Sequence, residues 1–344
     1  MDSWIRDVSR GDFVGALLIE LSKAFDSVSH PQLINDLMDI GCSQSTLQWF
    51  GSFLCHRQQR VKSGSNITDW KLVTRGVPQG SPLSPLLFNI LVRHLPEASG
   101  SDAYQFADDL TNSAADSNPD ILASKLTDTY GKVKAYCLKR NLKINLTKTQ
   151  LIIFKTPRKQ LPTDYSISLD NVVLTPCNTV TLLGITLDQH FTMAPHISGV
   201  VKKCNGLLGV LRRAATCLPI ELLNTVYMTL IRSQLEFASA CFSTAANTHL
   251  LKLDTIQKIA SRIITGSPRC AHSAPLQAKL GLETLQSRRN KHISKLVDAI
   301  LAGQSHPYFK NFFSTERNGD RLPTTNNKLN NKRFSRFGVQ FIKE

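Results

Sequence analysis

The sequence lacks the cysteine patterns that mark zinc-bound or disulfide-linked folds. Its eight cysteines are widely scattered, and none lies in a Cys-x-x-Cys pair. The usual zinc spacings are therefore absent, and a disulfide framework is not expected in a chain of 344 residues. Cys270 and His272 are too few ligands for a metal site. We expect reduced thiols that are mostly buried as small apolar side chains.

Long apolar runs are also missing. Residues 1–6 contain no signal-peptide core, and the longest early apolar run, residues 14–19, is too short to span a membrane. No basic amphipathic stretch carries the aromatic anchors of an interfacial helix. These features predict an intracellular protein, nuclear or cytoplasmic.

Acidic residues are scarce beside basic ones. The chain has 26 Asp and Glu against 41 Lys and Arg, which gives a formal net charge of +15. Residues 196–295 alone hold 14 basic residues and four acidic ones, so most of the excess falls there. Such an excess indicates a polyanionic partner, with nucleic acid first and a membrane surface second. The alternative is a solvated basic face that only keeps the protein soluble.

Apolar periodicity predicts an α+β first half. Residues 14–19 predict a buried strand that ends at Glu20. An amphipathic helix is indicated by apolar residues at steps of 4, 4, 3 and 4, namely Leu122, Leu126, Tyr130, Val133 and Cys137. The other predicted elements are helices at 31–40, 43–55 and 84–95, an extended segment at 70–75, two short strands within 103–113 and a strand at 151–154. This is the order of a split β-α-β unit.

The second half changes from short strands to helices. Small antiparallel strands are predicted at 167–169, 172–174 and 179–187, and further helices at 220–235, 250–265 and 285–301. Before those helices, a helix that begins at His196 presents one apolar face, formed by Ile197, Val200, Cys204, Leu207 and Leu211. From Ser305 the chain becomes polar, and residues 324–332 predict a loosely ordered tail.

Two adjacent carboxylates, Asp108 and Asp109, stand in a short apolar stretch. They follow the Gly-Val-Pro-Gln-Gly loop, within residues 76–83, by a single helix length. Their charges repel, and a divalent cation commonly offsets that cost. An isolated acidic pair is more often a solvated turn, so the preceding loop is what makes this pair informative. In a split β-α-β unit the end of the first strand lies beside the hairpin turn, so we expect Glu20, Asp108 and Asp109 to meet.

Five motifs occur in a fixed order. They are ELSKAFDSV at 20–28, GVPQGSP at 76–82, FADD at 106–109, LKINLTKT at 142–149 and LLGITLD at 182–188. This set resembles the successive palm motifs of reverse transcriptases from non-LTR (LINE-type) retrotransposons, of the jockey-like kind. The segment with DTIQK at 254–258 and LGL at 280–282 resembles the thumb of the same elements. The resemblance runs from about residue 11 to residue 302.

The resemblance implies a right-hand polymerase fold, α+β, with an antiparallel palm sheet backed by helices. Its domains would be a palm with partial fingers at 1–190, a mostly helical thumb at 191–302 and a polar tail at 303–344. The implied activity is RNA-directed DNA synthesis, in which a primer 3′-hydroxyl attacks the α-phosphate of a deoxynucleotide triphosphate on an RNA template. Two Mg²⁺ ions about 4 Å apart would assist this step, and Mn²⁺ could replace them.

The resemblance also implies roles for single residues. The implied catalytic positions are Glu20, Asp108, Asp109 and Lys148, and the three acidic residues among them would bind the metal ions. The positions in contact with nucleotide, template or primer are Phe25, Gln79, Gly80, Leu183 and Gly184. Among them, Phe25 would crowd the sugar 2′ position and Lys148 would lie near the leaving pyrophosphate. Taken singly, these residues are equally typical of a core phenylalanine, an ordinary Pro-Gln-Gly turn and a solvated lysine.

Two departures from the family pattern qualify the implied activity. The family has Asp where this chain has Glu20, whose carboxylate sits roughly 1.5 Å further from the backbone. In addition, the chain begins about ten residues before the first motif, so most of the fingers are expected to be missing. A non-catalytic nucleic-acid-binding remnant of a retroelement is therefore a second hypothesis. An unrelated nuclease or phosphoryl transferase would need a base near Asp108, and no His or Lys is close by in the sequence.

We predict that Glu20→Asp raises polymerase activity, measured by primer extension on an RNA template. A misplacement of about 1 Å at a reacting centre can cost roughly 10²-fold in rate, so restoring the shorter carboxylate is expected to recover a gain of up to that size. Asp26, six residues further on, is not expected to compensate, because strand alternation and the intervening turn aim it elsewhere. Equal or lower activity in the variant would contradict this view of Glu20.

Overall fold

The chain divides into two compact units, which are described separately. The structure is a computed structural model that describes residues 1–304. The first unit comprises residues 1–180 and 189–191, and the second comprises residues 181–188 and the described chain from 192 onward. The predicted polar tail lies, from residue 305, outside the described residues.

The first unit consists of a small sheet with helices packed against it. Its helices are α1 (Asp2–Arg10), α2 (Ala24–Ser27), α3 (His30–Asp39), α4 (Gln44–Leu54), α5 (Ser84–Val92), α6 (Leu95–Ser99) and α7 (Pro119–Lys139). The strands up to the boundary of the unit are β1 (Phe13–Ser22), β2 (Gln58–Gln59), β3 (Lys62–Ser63), β4 (Asn66–Ile67), β5 (Lys71–Leu72), β6 (Asp102–Phe106), β7 (Asp109–Asp116), β8 (Lys143–Ile144), β9 (Gln150–Phe154), β10 (Ile167–Leu169), β11 (Val172–Leu174) and β12 (Thr179–Leu182).

Strand β1 is the centre of the sheet. It pairs antiparallel with β7 on one side and with β9 and then β8 on the other, and β6 completes the β6-β7-β1 order. Residues 13–17 of β1 are all buried, as the continuous apolar run predicts for a strand covered on both faces. The strand extends two residues beyond Glu20, so the predicted end at that residue is slightly short.

Helix α7 covers this sheet with the apolar face that the sequence predicts. Leu122, Leu126, Tyr130, Val133 and Cys137 are all buried, and they belong to the same core cluster as Leu17 of β1. Gly15 leaves room for this close approach: a Cβ at position 15 would lie 2.6 Å from Leu126 Cδ1, so the leucine side chain would have to move. The helix-to-strand distance therefore depends on the absence of a side chain at position 15.

Three local predictions are refined by the structure. The apolar segment 84–95 does not form one buried helix, because it divides into α5 and α6 near Arg93, and Leu86 is 54% exposed. Helix α1 was not expected; it is held by Trp4, whose indole N–H donates to Ser113 Oγ at 2.9 Å. The helices predicted at 31–40 and 43–55 are confirmed, and Ser43 caps the second by accepting from the Thr46 N–H.

The expectation that most cysteines are buried is wrong. All eight thiols are free and lie within the described residues, but only Cys137 and Cys204 are buried. Cys55, Cys217 and Cys270 are exposed. The scattered positions of the cysteines argue against a disulfide framework, but they do not show which thiols are buried.

A thin β-arm projects from the first unit between α4 and α5. Strand β2 pairs with β5, and β3 pairs with β4, in two successive antiparallel steps that end at Gly64. The predicted extended segment at 70–75 is only partly correct, because its strand is limited to Lys71–Leu72.

The second unit is helical after its first strand. Strand β13 (Ile185–Asp188) is followed by α8 (Ala194–Ala214), α9 (Ile220–Val226), a π-helical turn (Tyr227–Arg232), α10 (Ser233–Glu236), α11 (Ser239–Phe242), α12 (Asn247–Ile264), α13 (Ser273–Lys279) and α14 (Leu285–Leu301). The buried face of α8 includes Leu208, whereas the predicted Leu207 and Val200 are only half-buried. Across residues 1–304, none of the helices combines the length and apolar character needed to cross a membrane.

We predict opposite stability effects for two glycine substitutions. Gly15→Ala places a methyl group against Leu126 in the packed core and should lower the free energy of unfolding by about 1–3 kcal/mol. Gly131→Ala lies on the exposed side of α7, where an added Cβ meets no atom within 4 Å, and should raise it by about 0.5–1 kcal/mol. Urea denaturation measures both, and equal effects would contradict the proposed close packing of β1 and α7.

Candidate active site

The acidic residues converge at one edge of the sheet because of strand register. Glu20 on β1 lies directly opposite Asp109 on β7, and Asp109 also pairs with Phe106 across the β6–β7 hairpin. Directly opposed residues in an antiparallel pair place their Cβ atoms about 4.5–5.5 Å apart on one face. The structure thus brings Glu20 beside Asp109, and Asp108 is the adjoining residue of the hairpin turn.

The hairpin that presents these carboxylates is strained. Its two connecting residues are Ala107 and Asp108, and Ala107 adopts a left-handed backbone with φ of 53°. An L-residue with a Cβ costs roughly 1–2 kcal/mol in this region, where glycine or asparagine is usual. Surrounding pairing by β1 and β6 holds the turn in this conformation.

The electrostatics of the cluster are unfavourable without a cation. Partial desolvation, followed by the negative charges of Asp108 and Glu20, raises the pKa of Asp109. Hard carboxylate oxygens of this kind suit Mg²⁺ or Mn²⁺ as a donor set. As arranged, however, residues 1–304 contain no group of three or more His, Cys, Asp or Glu side chains ready to hold a metal ion.

Lys148 forms an ion pair with the carboxylate of Glu20. Its Nζ donates to Glu20 Oε1 at 2.6 Å, and this bond raises the pKa of the lysine. A tight turn delivers it: the Asn145 N–H donates to the Glu20 carbonyl, and the Thr149 N–H donates back to the Asn145 carbonyl. The ammonium therefore provides positive charge at the end of β1.

The segment that follows β1 is bound to the Gly-Val-Pro-Gln-Gly loop at 76–80. The Gly76 N–H donates to the Val28 carbonyl, and the Val77 N–H donates to the Phe25 carbonyl. A Cβ at Gly76 would lie 2.9 Å from the Asp26 backbone, so glycine is required there. Phe25 is half-buried and stacks on Phe88 with ring centroids 4.8 Å apart.

Asp26 is engaged by this loop rather than by the acidic cluster. Gln79 Nε2 donates to Asp26 Oδ1 at 3.0 Å. The neighbouring Gly80 is exposed, has φ of 87° and leaves open space where a Cβ would stand. Gln79 and Gly80 thus form an exposed turn beside Asp26 of α2.

Leu183 and Gly184 belong to the second unit and are described there alone. They form the turn between β12 and β13, with left-handed backbones of φ 47° and 82°. Leu183 is 50% exposed, and a Cβ at Gly184 would lie 3.2 Å from the ring of Phe237.

Residues 11–187, just over half of the chain, match the profile of the family described as Reverse transcriptase (RNA-dependent DNA polymerase). The chain belongs to the reverse transcriptase family. The α+β class, with a palm-type sheet in the first unit and a mostly helical second unit, agrees with this membership.

Curated relatives confirm the resemblance to non-LTR elements. The chain is 26% identical over 307 residues to a probable RNA-directed DNA polymerase from transposon BS of Drosophila melanogaster, which covers 84% of this chain and 33% of the relative. It is 22% identical over 315 residues to the RNA-directed DNA polymerase from mobile element jockey of Drosophila funebris, with 87% and 33% covered. The chain thus spans about a third of the length of these relatives.

Among solved structures, a telomerase from Candida albicans, in complex with a fragment of telomeric RNA, is similar to this chain. The match has 12% sequence identity and a TM-score of 0.41, and it covers 80% of this chain and 50% of the other. A score this low does not bear on the mechanism.

Sequence reasoning missed two features of the site. The Glu20–Lys148 ion pair joins residues 128 positions apart, and the Gln79–Asp26 hydrogen bond joins residues 53 apart. Each of these residues lies in a motif that the sequence reveals by itself. The contacts between motifs depend on strand pairing, which local patterns do not specify.

The two ends of β7 should respond oppositely to loss of charge. The pKa of Asp109 is raised, so its ionisation destabilises the fold above the ordinary carboxyl range, and Asp109→Asn should raise the Tm at pH 7. The pKa of Asp116 is lowered, chiefly by a hydrogen bond from Lys125, so Asp116→Asn should lower the Tm at pH 7.

Thermal denaturation with a chelator present measures both variants of β7. The Asp109 difference should disappear towards pH 3, because Asp109 is then protonated in the folded and unfolded states alike. The Asp116 difference should persist to lower pH and disappear only below the lowered pKa of Asp116. A destabilised Asp109→Asn variant at pH 7 would contradict the repulsion assigned to the acidic cluster.

Proposed function

We propose that this chain carries the palm and thumb of an RNA-directed DNA polymerase of a non-LTR retrotransposon. The observation that carries the proposal is the register that sets Glu20 opposite Asp109, with Asp108 in the adjoining turn and Lys148 on Glu20. In the proposed reaction a primer 3′-hydroxyl attacks the α-phosphate of a deoxynucleotide triphosphate, and pyrophosphate leaves.

The metal-binding residues would be Glu20, Asp108 and Asp109. Their oxygen donors and their mutual repulsion support a site for divalent cations, with Mg²⁺ as the expected ion and Mn²⁺ as a substitute. Such ions, when bound, neutralise the attacking and leaving oxygens of a phosphoryl transfer. Asp108 would be the direct ligand and Asp109 the less direct one.

Lys148 would have two charge partners in the reaction cycle. In the structure its ammonium neutralises Glu20, and its side chain is 62% exposed. A flexible, exposed ammonium of this kind can reach a phosphate oxygen, which supports a role beside the leaving pyrophosphate. The exchange from carboxylate to phosphate would also free Glu20 Oε1 for a cation.

The loops after β1 would hold the nucleotide and template. The stacking of Phe25 on Phe88 supports a fixed ring that crowds the sugar 2′ position. The exposed turn at Gln79 and Gly80 allows close backbone approach. Leu183 and Gly184 are proposed to seat the primer end, on the strength of the motif resemblance and their exposed turn.

The helical unit would hold the template-primer backbone. Not all of its basic residues are available, because Arg232 and Arg288 both pair with Glu236. The exposed cations of α8 and α12 are the candidates for phosphate contacts: Lys202, Lys203, Arg212, Arg213, Lys252 and Lys258. Binding through such contacts is weakly dependent on base sequence and strongly dependent on salt.

A non-catalytic nucleic-acid-binding domain is the second candidate function. Two features of Glu20 favour this alternative, because both oppose cation binding in the observed arrangement. The side chain of Glu20 is longer than that of Asp, and its carboxylate is paired with Lys148. Rescue of synthesis by Mn²⁺, whose coordination is more forgiving, would separate a strained polymerase from this alternative.

We predict that Asp108→Asn abolishes nucleotide incorporation in primer extension on an RNA template with Mg²⁺ or Mn²⁺. The loss should exceed about 10²-fold, because an amide cannot supply the charge that the carboxylate gives to the cation. Asp102→Asn, at the far end of the same hairpin, is the matched control and should retain activity.

Two results would contradict the polymerase proposal. Incorporation that persists in Asp108→Asn would place the chemistry elsewhere. Salt-sensitive binding of template-primer without incorporation, with either metal and in the Glu20→Asp variant, would favour the non-catalytic function.

A further inference from the structure

The β-arm formed by residues 57–73 contains none of the residues that we propose for the palm chemistry. Its paired strands β2 to β5 are continued by a hydrogen bond from the Thr68 N–H to the Val61 carbonyl and by one from the Val73 N–H to the Arg57 carbonyl. Every residue from 58 to 72 is exposed. The arm is thus an ordered ribbon whose residues are exposed along its length.

The ribbon carries large apolar side chains that are exposed and do not belong to the hydrophobic core of the unit. Val61, Ile67, Trp70 and Leu72 are exposed by 65%, 50%, 58% and 60% of their surfaces. Isolated two-stranded hairpins are marginally stable in water, and their exposed apolar residues commonly mark a binding surface. An occupant that covers these side chains would stabilise the arm.

The charge of the arm indicates what that occupant is. Residues 56–75 contain five basic residues against the single acidic Asp69, a higher positive density than that of the whole chain. The basic residues alternate with the apolar ones and are Arg57, Arg60, Lys62, Lys71 and Arg75. A partner with regularly spaced negative charges and flat apolar groups fits this alternation.

Trp70 is held as a stacking platform. The guanidinium carbon of Arg60 lies 4.5 Å from the centroid of the Trp70 ring, so the arginine covers one face of the indole. Trp70 nevertheless keeps 58% of its surface exposed. An indole fixed on one side and open to solvent stacks on a base at little cost in side-chain entropy.

We propose that the β-arm binds single-stranded RNA, with a base stacked on Trp70 and phosphates held by the flanking cations. The choice of RNA rests on the proposed function, in which this chain copies an RNA template. Folded protein partners and anionic membranes are disfavoured, because single-stranded RNA supplies both flat apolar base faces for Trp70 and regularly spaced phosphates for the basic residues of the arm.

The decisive experiment uses tryptophan fluorescence, since the chain contains three tryptophans and Trp4 is buried. Trp49 is exposed to nearly the same extent as Trp70, at 54%, but stacks on Phe53 of its own helix. Trp49→Phe and Trp70→Phe are therefore matched variants. Titration with a single-stranded RNA of about twelve nucleotides should quench emission in Trp49→Phe, and the quenching should be lost in Trp70→Phe.

Affinity measurements test the two parts of the contact. Trp70→Ala should weaken RNA binding at least about fivefold, whereas Trp70→Phe should keep most of the affinity, because a phenyl ring still stacks. Lys62→Gln and Lys71→Gln should each reduce the slope of log K against log salt by about 0.7. Lys132→Gln, which removes a lysine paired with Asp128 on α7, is the charge-matched control and should leave the slope unchanged.

The results that overturn the proposal are distinct from a failure of the polymerase function. Quenching that survives in Trp70→Phe, unchanged affinity in Trp70→Ala, or tighter binding of single-stranded DNA of the same sequence would each overturn it. Binding is measured without nucleotides or divalent cations. If the protein binds RNA through Trp70 but fails in primer extension, only the proposed function is overturned. If the protein extends primers and Trp70→Ala binds RNA as tightly as the unmodified chain, only the proposal for the β-arm is overturned.

Discussion

The antiparallel register between β1 and β7 is the constraint on which the proposed site depends. Residues 13–17 are buried on both sides of the strand, so the apolar core fixes where β1 lies, and pairing then fixes that Glu20 faces Asp109. A shift of one residue would turn every side chain of β1 to the opposite face, so Glu20 would move to the buried face that Ile19 and Leu21 occupy. The acidic cluster is therefore positioned by core packing some distance away, and its mutual repulsion is tolerated because that packing is strong.

The cluster combines several features that are unfavourable for folding. The pKa of Asp109 is raised, Ala107 holds a left-handed backbone, and Glu20 lies beside a second carboxylate. Each feature lowers stability, and none serves the core. Their concentration at the end of one hairpin is typical of a site where stability is exchanged for function. In this structure Lys148 offsets part of the negative charge.

Much of the fold and the membership of the family followed from the sequence, because both are encoded in short, ordered patterns. The buried strand before Glu20, the face of α7 and the hairpin at Asp108 depend on local periodicity, and the structure confirms them. Burial of Leu208 rather than Leu207 depends on which neighbours pack against α8, and the β-arm depends on pairing between segments without an apolar pattern. Neither is encoded locally.

The length of the Glu20 side chain connects the departure from the family pattern with the observed ion pair. A glutamate extends one carbon further from β1 than an aspartate, and here its carboxylate meets the ammonium of Lys148. A cation that approaches Glu20 must compete with this ammonium, whereas Asp108 has only its neighbouring carboxylates. In the proposed site, the first cation contact would therefore form more easily at the hairpin than at β1. Occupation of the second position would depend on whether phosphate draws Lys148 away from Glu20, so substrate and cation binding would reinforce each other.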